Sequence, residues 1–159
     1  MPISRKEDIR FKGAVKKSRN GVELVKTYFE KLGFQTELPE LKIRDKFEDR
    51  AGYGDDADLF IISKLGERMG IEVKGRTLSF TSVRDFPFPT IFVDRVNKAD
   101  ASTVRCYVSI NSAGTHFAAI LSSTKDLWVQ KQRYDNVKGH TLNVYECPKQ
   151  LIKFLKIKK

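Results

Sequence analysis

Two apolar runs, Ala57 to Ser63 and Met69 to Arg76, are joined by Lys64-Leu65-Gly66-Glu67-Arg68, and this arrangement limits the fold more than any other stretch of the chain. A Gly-containing connection of that length between strand-like runs is a hairpin signal. With the turn centred on Leu65, Leu59 stands opposite Ile71, Ile61 opposite Met69 and Ala57 opposite Val73, which makes one face wholly apolar. A slip of one residue would mix the two faces, so the pattern itself selects the register. On the other face Phe60 lies over Gly70, and Asp58 faces Glu72 at the open end with Lys74 on the same side.

Opposed side chains in an antiparallel pair have Cβ atoms ~4.5–5.5 Å apart, and like charges placed so destabilise the sheet unless something neutralises them. A divalent cation would do so. Mg²⁺ takes carboxylate oxygens together with water and substrate phosphate, and Lys74 can orient an attacking water or offset charge that develops on phosphorus.

The charge of the whole chain agrees with a phosphate-bearing substrate. Thirty Lys and Arg stand against 20 Asp and Glu, a formal charge of +10 in 159 residues. Such a surplus favours polyanions, nucleic acid before an anionic membrane surface. The basic residues gather in an N-terminal arm over about 1–19, with Lys16, Lys17 and Arg19, and in a C-terminal tail over about 153–159. Either run can clamp a phosphate backbone, and either can be a solvated, solubilising segment.

The length fits a single domain over 1–159, and a 40% hydrophobic content with 11 Phe supports a folded core. No apolar run reaches the ~18–20 residues that span a bilayer, and no signal-peptide pattern opens the chain, so the expectation is a protein of the cytoplasm or another intracellular compartment. Cys106 and Cys147 are too few for a disulfide framework, and with His116 and His140 they match no zinc-module spacing. Reduced, buried thiols and structural or surface histidines are expected.

A helix is expected over about 20–32. Leu24, Val25, Tyr28, Phe29 and Leu32 recur at helical spacing, Asn20 and Glu23 form a capping pattern, and Gly33 supplies the stop. Further strands are expected at Thr103–Asn111, His116–Ser122, Leu127–Gln132 and Thr141–Glu146. Phe92 to Lys98 reads as a helix following the hairpin, and Pro148 as the start of a terminal helix with Leu151, Ile152 and Leu155 on one face. The fold class is α/β, a central mixed β-sheet flanked by helices.

Asp58, a strand, and then Glu72-Val73-Lys74 on the next strand resemble the signature of the PD-(D/E)XK nuclease superfamily, an acid followed after a gap by acid-x-lysine. The helix carrying Glu23 also matches the family's order of helix before strands. The resemblance covers the helix and the hairpin, and it departs from the family at Ala57, where the proline of the motif would stand. It implies a restriction-endonuclease-like core and a metal-dependent nuclease. Asp58 and Glu72 would bind Mg²⁺, with Mn²⁺ as substitute, the Val73 carbonyl would complete the site, and Lys74 would position water. Without a separate recognition domain, cleavage would be structure-guided or weakly sequence-specific, as in small Holliday-junction resolvases and other repair, recombination or phage nucleases. DNA is then the expected partner before RNA, with no membrane, and a resolvase-like member would work as a homodimer.

Several residues carry two readings. Glu23 is a helix cap or the helix acid that some members direct at the metal. Arg76 holds the scissile phosphate or is an exposed strand end, and Lys98 contacts the nucleic acid backbone or is solvated. Asp55 and Asp56 belong to a Gly-rich turn or reach the metal. Phe86-Pro87-Phe88-Pro89 presents rings to bases or is buried beneath its loop. For the chain as a whole, the alternatives to a nuclease are a non-catalytic nucleic-acid-binding protein using the same basic surface and a membrane-surface protein using the basic termini.

Overall fold

The computed structural model describes residues 20–39, 57–75, 78–137 and 139–157. The basic arm, Asp55, Asp56, Arg76 and the last two lysines lie outside these residues. Residues 20–31 are helical (α1), and Gly33, with φ +98, lets the chain leave the helix through a conformation that side chains with a Cβ rarely adopt. The strands follow as β1 (Gln35–Glu37), β2 (Leu59–Ile62), β3 (Arg68–Gly75) and β4 (Thr90–Arg95), then the short helix α2 (Val96–Ala101). After α2 come β5 (Cys106–Ile110), β6 (His116–Leu121), β7 (Val129–Asp135), β8 (His140–Pro148) and β9 (Lys153–Lys156). Short 3₁₀ turns at Ser122–Leu127 and Lys149–Leu151 precede β7 and β9.

Six strands form a mixed sheet in the order β1-β2-β3-β5-β6-β9, in which β3 and β5 run parallel and the other pairs antiparallel. A parallel pair requires a crossover. Here the crossover contains β4 and α2, and β4 joins a second, antiparallel sheet of order β4-β8-β7. The chain is mixed α/β but mostly strand. The expected flanking by helices holds on one face, where α1 packs on Leu59, Ile71 and Val108 through Val25. On the other face the cover is mainly the three-stranded sheet. Phe60 and Tyr107 meet Val93, Ala99, Tyr145 and Cys147 in a shared core there.

The β2–β3 hairpin has the register that its apolar face dictates, with Leu59 opposite Ile71, Phe60 opposite Gly70 and Ile61 opposite Met69. Its turn depends on Gly66, whose φ is +83 and whose Cα faces open space. Gly66→Ala is therefore expected to act through the backbone alone, lowering stability in urea unfolding by about 1–2 kcal/mol. An unchanged midpoint would contradict that assignment.

Two expected helices are strands. Thr90 to Arg95 pairs with β8, and helix begins only at Val96. Thr, Ile, Phe and Val in succession suit a strand buried against a partner better than a helix face. The C-terminal segment forms β9, because Phe154 reaches the core between the sheets while its neighbour Leu155 reaches the α1 side. Alternation across a strand satisfies both, whereas a helix would bury only one side. No helix among the described residues is long and apolar enough to cross a membrane.

Candidate active site

Position along β3 decides which way its side chains face. Val73 points to the α1 side, and Glu72 and Lys74 point into the space between the sheets, beside Tyr107 and Ser109 of β5. Glu72 is only 7% exposed. An ionised carboxylate in such a place requires a partner. Lys98 of α2 supplies it, donating from Nζ to Glu72 Oε1 at 2.9 Å.

The same ammonium lies 3.5 Å from Asp94 Oδ2, four residues back on β4, and Lys74 Nζ lies 3.8 Å from Asp94 Oδ1. Asp94 is 4% exposed, and its Oδ2 accepts no hydrogen bond. Two buried acids from different sheets thus share two lysines. Lys74 also stands over the Phe92 ring, 4.8 Å from its centroid. Asp94 was not singled out by sequence reasoning. Its signal was an acid directly after the apolar run Ile91-Phe92-Val93, followed four residues on by a lysine.

Asp58 does not stand directly opposite Glu72 in the ladder, as the hairpin pattern had suggested. Its N–H donates to the Ile71 carbonyl at 2.9 Å, the residue that also faces Leu59. Two residues against one constitute a bulge-like irregularity, which re-aims a side chain. The Asp58 carboxylate turns to the β3 backbone, where Oδ2 accepts the Val73 N–H at 2.8 Å. The N–H and C=O of one strand residue point the same way, so the Val73 carbonyl faces the Asp58 side of β3.

Burial pushes the Glu72 carboxyl above its ordinary value near 4.5, against the opposing pull of Lys74 and Lys98, and Asp94 adds to the rise. A raised folded pKa favours the protonated form. The stabilising contribution is full below pH 4.5 and is lost as pH climbs through the raised value. Stability of the metal-free protein, followed as urea midpoint against pH, should therefore decline from this group above about pH 4.5. Glu72→Gln should remove that part of the slope, and an unaltered profile would contradict it.

Other expected participants lie elsewhere. Glu23 is exposed on α1, in a groove with Tyr28 and Ile157, and α1 covers the opposite face of the sheet from Glu72 and Lys74. The fold does not bring it to them. Arg76, Lys16, Lys17, Arg19, Asp55 and Asp56 fall outside the described residues. Lys98, one-third exposed, is ion-paired to both buried acids. Cys106 and Cys147 are buried free thiols on opposite faces of the large sheet, each pushed up to about 11 by burial, so they assemble no zinc set with the histidines.

The residues at this end of β3 suit a cation. A buried oxygen without a hydrogen bond, Asp94 Oδ2, and a buried carboxylate, Glu72, already gather around an ammonium. Among the described residues no three His, Cys, Asp or Glu side chains form a ready metal cage. Mg²⁺ typically needs only one or two carboxylates, completed by water and substrate phosphate. In comparisons with protein-family models, curated proteins and solved structures, the chain matches none.

Proposed function

We propose that this chain is a metal-dependent DNA endonuclease with a restriction-endonuclease-like core, hydrolysing phosphodiester bonds with structure-guided or weak sequence preference. The observation that carries the reading is the convergence of Glu72, Asp94, Lys74 and Lys98 at one end of β3, beside the Asp58 carboxylate on the Val73 N–H. A buried, perturbed carboxyl such as Glu72, grouped with lysines, is a functional-site candidate. The overall charge of +10 supplies the attraction for a polyanion.

Glu72 and Asp58, with the Val73 carbonyl, are the groups that would hold Mg²⁺ or Mn²⁺, and Asp94 is a further acid within the same charge cluster. When bound there, the ion supplies Lewis acidity at the scissile phosphate and lowers the pKa of water. The chain's residues do the rest. The Val73 N–H holds Asp58 Oδ2 at 2.8 Å and so orients the carboxylate. The Lys74 ammonium, held beside Asp94 and over Phe92, donates toward phosphate oxygens or an incoming water and offsets the charge that grows on them. Lys98 balances Glu72 and Asp94 until a stronger cation arrives.

That balance is also the observation that favours a second reading, a non-catalytic DNA-binding protein in which the four charges simply tie the two sheets together. Purified protein incubated with labelled linear, flapped, four-way-branched and single-stranded DNA separates the two. The nuclease reading expects cutting of at least one substrate with Mg²⁺ or Mn²⁺ and none with EDTA. Binding without cutting on every substrate contradicts it.

A further inference from the structure

Beside Lys74, between the two sheets, opens a cleft of about 230 Å³. It is smaller than the ~300–1,000 Å³ of pockets that take drug-sized ligands, so it suits one flat ring system. Its walls include Phe86, Phe88 and Phe92, and its polar lining includes Lys131, Arg133 and Glu146. Phe88 is 51% exposed and meets the buried Phe86 ring, with ring centres 6.3 Å apart. The Arg133 guanidinium lies 5.5 Å from the centre of the Phe92 ring, whose ring also lies under the Lys74 ammonium.

We propose that this cleft binds one unpaired nucleobase adjacent to the phosphate at Lys74. The position of that phosphate rests on the nuclease reading, and the rest follows from the cleft itself. Aromatic walls take any base through its π-face. Lys131 and Arg133 line the same cleft and match the charge of flanking phosphates. Glu146 accepts the Thr90 hydroxyl and pairs with Lys131 at 3.3 Å, both through Oε1. Its Oε2 can accept a base N–H, as carboxylates do from exocyclic amines. The substrate class is then DNA with a base outside the helix, at a flap, branch or bulge, and not continuous duplex.

The test compares two fluorescent duplexes, identical except that the single unpaired nucleotide carries a base in one and is abasic in the other. Binding is measured by anisotropy in Ca²⁺, with cutting in Mg²⁺ and Mn²⁺ followed in parallel. Base–aromatic stacking predicts about 5- to 150-fold tighter binding of the base-containing duplex. Phe88→Ala, at an exposed position, should remove much of that preference, and Arg133→Ala should weaken both duplexes alike. Equal affinity for the two duplexes, no affinity for either, or a preference intact in both Phe88→Ala and Phe92→Ala overturns the proposal. Base preference without cutting contradicts the nuclease reading and leaves the cleft standing, whereas cutting without base preference does the reverse.

Discussion

Glu72→Gln is expected to lower Mg²⁺-dependent cleavage by at least ~10²–10³-fold, the scale seen when one electrostatic element is removed from an active site. The change keeps shape and removes the charge that a cation needs. Lys74→Met should fall in the same range, since it removes the ammonium held 3.8 Å from Asp94 Oδ1. DNA binding in Ca²⁺ should change little in Lys74→Met beyond the loss of one positive charge. The informative comparison is between these variants and Glu23→Gln. Glu23 sits across the sheet, and its replacement should leave cleavage near that of the unaltered protein. If Glu23→Gln were as damaging as Glu72→Gln, the site would have been placed on the wrong face.

Phe80→Ala is expected to cost about 3–5 kcal/mol, the range for a large aromatic removed from a packed core. Phe80 is 1% exposed and meets Phe86 and Phe154 edge-on, with ring centres 5.5 and 5.7 Å away. Its carbonyl also accepts Asn111 Nδ2 at 2.8 Å. Against a typical total of ~5–15 kcal/mol, such a loss leaves a marginal protein. Phe88→Ala, on the same loop but exposed, should stay within about 0.5 kcal/mol. Urea unfolding of the two variants side by side checks the contrast, and similar losses would mean that Phe80 does not hold the sheets together.

The hairpin and α1 were legible in the sequence because each is decided locally: alternation and a glycine turn in one case, helical spacing and Gly33 in the other. β4 and β9 were not. Both are strands only because a distant partner, β8 or β6, offers its edge, and nothing within Thr90–Arg95 or Lys153–Lys156 names that partner. The same division runs through the site. Glu72 and Lys74 could be placed together from their spacing on one strand. Asp94 and Lys98 join them only because the crossover carries a second sheet over the first, a tertiary fact. Asp58 shows a subtler limit. Extrapolating the register put it opposite Glu72, but the Asp58 N–H bonds the Ile71 carbonyl, one residue short of that register, and the carboxylate turns to the Val73 N–H.

Lys98 connects this geometry to the metal question. Its ammonium touches both buried acids, so a divalent ion entering at Glu72 must compete with it. The most direct test is a crystal structure of the protein soaked in Mn²⁺, with the ion located by its anomalous scattering. The proposed account predicts a peak contacting Glu72 and Asp58, with Lys98 displaced from Glu72. No peak at that end of β3, with Lys98 still paired to Glu72 at saturating Mn²⁺, would contradict it.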